Sequence, residues 1–99
     1  MSDDFFAPPP FDPTSGLASL KRSLRDLKLV ERGGAFEFNG QPAMRARVDG
    51  AVLVLEIARR PSRSPDWERS EARDHAMLRK FTDELKKRVA RWADARGED

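Results

Sequence analysis

The chain contains no cysteine, which excludes disulfides, thiolate-bound metals and cysteine nucleophiles together. Its single histidine, His75, leaves a Ser-His-Asp relay only one imidazole to use. No serine sits in the Gly-x-Ser-x-Gly turn that exposes a nucleophile. Gly33-Gly34 and Gly40 are placed as turn glycines, not as a phosphate-cradling loop. Glu71 and His75 fall one helical turn apart and offer two metal ligands, where a site needs three or four. No apolar run approaches the roughly 20 residues of a membrane helix. The acidic start, Met1-Ser2-Asp3-Asp4, lacks the basic and apolar regions of a secretory signal. These absences set an expectation: a bacterial-type cytoplasmic protein that is not an enzyme, with no cofactor, no metal, no small-molecule ligand and no membrane partner.

Charge is abundant but unevenly placed. Asp3, Asp4 and Asp12 make the first 12 residues acidic, and Glu98 and Asp99 do the same at the end. All 19 basic residues fall within 13–96 against 12 acidic ones, a surplus of seven positive charges. A basic body with acidic ends favours polyanions, although arginine-rich GC-biased coding produces the same excess.

Residues 1–13 read as a disordered or docking tail, because Pro8-Pro9-Pro10 favours polyproline II. Half of the six phenylalanines, Phe5, Phe6 and Phe11, lie in it, which suits docking better than solvation. One domain covers 14–96, and residues 97–99 form a C-terminal tail. A helix capped by Thr14 or Ser15 carries the stripe Leu17, Leu20, Leu24 and Leu27. Gly33-Gly34 ends anything helical, although Leu29-Val30-Glu31 already suits extended chain. Ser64-Pro65 reads as the cap and first position of the last helix. That helix runs to about Ala95 with Gly97 beyond it, and Leu78, Phe81, Leu85, Val89 and Trp92 face the core. Its first half, 68–76, is markedly polar.

Between the helices, three strands are expected, Ala35–Phe38, 43–48 and 51–58, joined at Asn39-Gly40 and Asp49-Gly50. The fold class is thus α+β, an α-β-β-β-α order with two helices packed on one face of a three-stranded antiparallel meander. A two-residue turn at Asp49-Gly50 pairs Met44 with Leu55 and Ala46 with Leu53, and places Ile57 on the same core face. A bulged or longer loop is expected at Asn39-Gly40: a three-residue loop, Phe38-Asn39-Gly40 with Gly40 left-handed, pairs Phe36 with Pro42 and puts Phe36 on the core side with Met44. The other face carries Glu37, Arg45, Arg47, Val52, Val54 and Glu56, with Arg45 diagonal to Glu56.

Two surfaces emerge. Arg45, Arg47, Val52 and Val54, with Trp67 in the first turn of the last helix, form a candidate protein-partner site. A protein-interaction module, self-association included, is the favoured function. Arg59, Arg60 and Arg63 in the linker, extended by Arg69 and Arg73, form a candidate nucleic-acid site, since arginines beside a helix N-terminus grip phosphates. Lys86, Lys87, Arg88 and Arg91 make a second basic cluster. The helix, three-strand meander, helix layout resembles the double-stranded-RNA-binding domain over roughly 80 residues. That resemblance implies phosphate contacts from the loop before the last helix and from its start, here Arg59, Arg60, Arg63, Arg69 and Arg73. The helix start here, Pro65-Asp66-Trp67-Glu68, is acidic where that family is lysine-rich.

Overall fold

The computed structural model describes residues 10–97. Helix α1 (Pro13–Asp26) leads into strands β1 (Val30–Arg32), β2 (Ala35–Phe38), β3 (Gln41–Asp49), β4 (Val52–Ala58) and β5 (Trp67–Ala72), and helix α2 (His75–Gly97) closes the chain. The sheet is antiparallel in the order β1-β2-β3-β4-β5. The α+β class holds, and the three-stranded meander is corrected to five strands by an added strand at each edge. β1 forms where Leu29-Val30-Glu31 already suited extended chain.

β5 is taken from the segment expected to open the last helix, so Ser64-Pro65 does not begin one, and of the polar stretch 68–76 only its last two residues are helical. The reason lies in β4, whose Val-Leu-Val-Leu-Glu-Ile-Ala would otherwise be a long apolar edge. Six residues of β5 pair with it, from Ala58 opposite Trp67 to Leu53 opposite Ala72. The connecting loop is closed by the Arg59 N–H donating to the Asp66 carbonyl at 3.0 Å. α2 starts later, with the Asp74 carboxylate accepting the Met77 N–H at 2.8 Å. It runs through Gly97, which therefore does not lie past its end.

α1 also begins differently from expectation. Asp12, not Thr14 or Ser15, is its cap: the carboxylate accepts the Thr14 N–H at 3.0 Å and the Ser15 hydroxyl at 2.9 Å. Pro13 takes the first helical position, where its missing N–H costs nothing. The Ser15 and Thr14 hydrogen bonds hold the Asp12 carboxyl below the usual carboxylate range. Phe11, counted in the tail, is half-buried against the core and meets the His75 ring edge-on at 5.2 Å. Gly16 makes this docking feasible: a Cβ there would stand 3.1 Å from the Phe11 ring and 3.2 Å from Leu78. Phe5 and Phe6 lie outside the described residues.

The helix stops well before Gly33-Gly34. Leu29 N–H reaches back to the Leu24 carbonyl at 3.0 Å and Lys28 N–H to the Arg25 carbonyl at 2.9 Å, the paired bonds of a Schellman end. Lys28 sits at φ 70°, a left-handed position usually given to glycine. The reversal delivers Leu29 to the core at 2% exposure.

Both hairpins differ in detail from expectation and agree in outcome. Gly50-Ala51, not Asp49-Gly50, is the β3–β4 turn, with Gly50 at φ 61°, as a type II′ turn demands. Met44 therefore faces Ile57, and Ala46 faces Leu55. The slip is two residues, which keeps every side chain on its face. At Asn39-Gly40 the turn is a plain two-residue one with φ 53° and 83°. The bulge lies inside the strand, where Ala43 is the additional residue. It brings Phe36 opposite Met44 rather than Pro42, which faces Glu37, and lets Ala43 and Met44, consecutive in sequence, both be fully buried.

One core joins both helices to one sheet face: Leu20 and Leu24 from α1, Leu78, Leu85 and Val89 from α2, and Phe36, Met44, Leu53, Leu55 and Ile57 from the strands. Leu17, Leu27, Phe81 and Trp92 border it half-buried. Lys28→Gly removes a strained left-handed residue and is expected to stabilise the chain by about 0.5–1 kcal/mol, read as a rise in Tm of several degrees by calorimetry.

Candidate functional site

The sheet face away from the helices is set by strand alternation. Arg45 and Arg47 of β3, Val52, Val54 and Glu56 of β4, and Trp67, Arg69 and Glu71 of β5 point to it together. All five residues of the expected protein-partner site are thus gathered on one surface, but two arrive differently. Trp67 is on a strand rather than in a helix's first turn, and it is half-buried. Val54 is only 2% exposed. It stands between Arg47 and Glu71 in the ladder, and the methylene stems of such neighbours cover an apolar residue while their charges stay wet.

Charges on this face are laced. Arg45 is directly opposite Glu56, not diagonal, and pairs with it at 3.1 Å. Arg47 pairs with Asp49 at 3.5 Å. Glu71 receives Arg69 at 3.2 Å and Arg73 at 2.9 Å. Farther out, Arg32 approaches Glu37 at 3.9 Å. The Arg45 guanidinium carbon also lies 4.2 Å from the Trp67 ring centre, a cation–π stack. Its Nε is buried without a hydrogen-bond partner.

The five arginines of the expected nucleic-acid site do not form one patch. Arg59 turns toward α2 and pairs with Glu68 at 3.3 Å. Arg60 also lies on the α2 side, beside Trp92. Arg63 lines a groove with Arg45 and Trp67. Arg69 and Arg73 belong to β5 and the turn after it, not to a helix start, and both are held by Glu71. The layout that resembled the RNA-binding domain is replaced by the five-stranded one. Glu71 and His75 likewise stop being a helical pair, since one is in β5 and the other opens α2. Among the described residues, no group of three metal-ligating side chains gathers and no helix is long and apolar enough to cross a membrane.

A further polar cluster joins β5 to α2 and was visible in sequence only as part of a basic run. Arg88 Nη1 donates to the Ala58 carbonyl at 3.3 Å, and Nε donates to Glu84 at 3.1 Å. Arg88 also pairs with Glu68, which points from β5 toward the helix. Arg91 adds a second contact to Glu84 at 3.6 Å. Burial works against the Arg88 charge, but its hydrogen bonds to Glu68 and Glu84 outweigh this and hold its pKa above the ordinary arginine value. The Arg88 hydrogen bond, followed by the charges of Arg88 and Arg59, holds the Glu68 carboxyl below the usual range.

Compared with known proteins, the chain matches no protein-family model, no curated protein and no solved structure.

The depressed Glu68 pKa sets the sign of a pH effect. Its contribution to stability is complete above the unfolded glutamate value of about 4.3 and is lost as pH falls through the lower folded value. Arg88→Gln is expected to lower Tm by roughly 5 °C at neutral pH and by less in acid. Thermal melts of both proteins from neutral to strongly acidic pH check this; an equal difference at every pH contradicts it.

Proposed function

We propose that this chain is a non-enzymatic cytoplasmic interaction module that docks a second copy of itself through the sheet face no helix covers. The observation that carries the reading is the mixed charge of that face around one tryptophan. Arginines and carboxylates alternate there within 2.9–3.5 Å of each other. A two-fold contact presents the same patch from both sides, so each arginine can meet a carboxylate of the other copy. A face of one sign would repel its copy. Trp67 under Arg45 supplies the aromatic-plus-arginine centre around which interface energy concentrates. Four strand spacings of about 4.8 Å and a strand of about seven residues give a projected area of about 450 Å². A standard interface uses about 800 Å² per partner, so the dimer is reversible and weak. Sedimentation from one to several hundred micromolar is expected to show mass rising toward two chains. Trp67→Ser with Arg45→Ser should weaken this by tenfold or more. A single-chain mass throughout overturns the reading.

One observation favours a second reading, binding of single-stranded nucleic acid. Arg60 and Arg63 have no carboxylate partner among the described residues, and Arg63 shares its groove with Arg45 and Trp67. Arginine beside an aromatic ring suits a stacked base and its phosphate. The carboxylates that hold Arg59, Arg69 and Arg73 weigh against a polyanion, so this reading ranks second. Fluorescence anisotropy with single-stranded RNA, duplex RNA and duplex DNA at two salt concentrations tests it. Salt-sensitive binding that weakens when Arg59, Arg60 and Arg63 become Ser supports it, and no binding at low salt removes it.

A further inference from the structure

At the far end of α2 the chain holds a basic, aromatic cleft separate from the uncovered sheet face. Its wall is Arg59, Arg60, Glu68, Arg88, Arg91 and Trp92. With Glu84 included, four arginines meet two glutamates, a surplus of two positive charges. The cleft continues past Arg60 and Trp92 into a hollow of about 260 Å³ bordered by Phe38 and Pro61. Phe38 and Trp92 stand 5.7 Å apart at 53°. An apolar cavity of about 150 Å³ accepts benzene, so this hollow takes one phenyl ring. Its chemistry asks for a ring next to two negative charges.

The chain itself carries that chemistry in Asp3-Asp4-Phe5-Phe6; its other instance, Asp66-Trp67-Glu68, is committed to β5 and its ion pairs. Two carboxylates match the surplus of two, and two rings are available for one hollow. The reach matches as well. Phe11 is anchored beside Leu78 and His75 at the start of α2. Leu78 and Trp92 are fourteen residues apart on that helix, or about 21 Å at 1.5 Å per residue. Phe5 precedes Phe11 by six residues, which span about 20 Å when extended or in polyproline II. Pro8-Pro9-Pro10 lies within that span and favours such a conformation. We infer that Asp3-Asp4-Phe5-Phe6 docks in the cleft of its own chain, with one phenyl ring in the hollow against the Phe38–Trp92 pair and the carboxylates on Arg60 and Arg91.

The absence of cysteine allows a clean test on the full chain. A nitroxide on Ser2→Cys is expected to broaden the Trp92 indole and Gln41 amide signals beyond detection while sparing the Gly50 hairpin. Phe5→Ser with Phe6→Ser, or Asp3→Lys with Asp4→Lys, should restore those signals and shift the Trp92 indole resonance. The Trp67 indole and the rest of the spectrum should stay in place, which shows that each variant is folded. Unbroadened signals at Trp92 overturn the inference. So does broadening of unlabelled, isotope-enriched chain mixed with spin-labelled chain, because the occupant would then come from a second copy. The sheet-face dimer is read by mass, so either proposal can fail without the other.

Discussion

The structure depends on how β4 is paired. Val52–Ala58 is apolar at six of its seven positions, and such a strand is stable only with partners on both edges and a packed face. β3 supplies one edge through the tight Gly50-Ala51 turn. The other has to come from the chain that follows, which is the polar Trp67–Ala72. Once that segment pairs, the last helix is confined to His75 onward, and Arg59 and Asp66 close the loop between. The bulge at Ala43, the Schellman end at Lys28 and the Phe11 anchor then fit the remaining apolar residues around the same core.

Pairing β5 with β4 also divides the charges. Alternation along β5 turns Glu68 to the helix side and Arg69 and Glu71 to the open side. Glu68 recruits Arg88 and thereby ties α2 to the sheet edge. Glu71 holds Arg69 and Arg73, so a run that looks basic in sequence becomes a laced, nearly balanced face. The same division separates Arg59 and Arg60 from Arg63, although only a few residues lie between them. A surplus of positive charge in the chain is therefore not a positive patch on the surface.

Much of the interior could be read in advance because its signals are local. Leucines spaced three and four apart mark α1, and the run from Leu78 through Leu85 to Val89 marks α2. The faces of β3 and β4 follow from their alternation even where the turn is misplaced, since a two-residue slip preserves them. The bulge was required by Phe36, though its position was not. Of the candidate surface, Arg45, Arg47, Val52 and Val54 follow from that alternation. β5 was hidden because Trp-Glu-Arg-Ser-Glu-Ala has no apolar period of its own, and Ser64-Pro65 imitates a helix start.

What the sequence by itself determined is what short-range patterning carries: the α+β class, the leucine stripes, which side of the central strands meets the core, and the lack of thiol chemistry. The tertiary structure decided the count of strands, the start of α2, the place of Trp67 and the partner of every arginine. The physical reason is that β pairing is a non-local choice. A polar hexapeptide has little preference of its own, and it becomes a strand because an apolar neighbour elsewhere in the chain has an open edge.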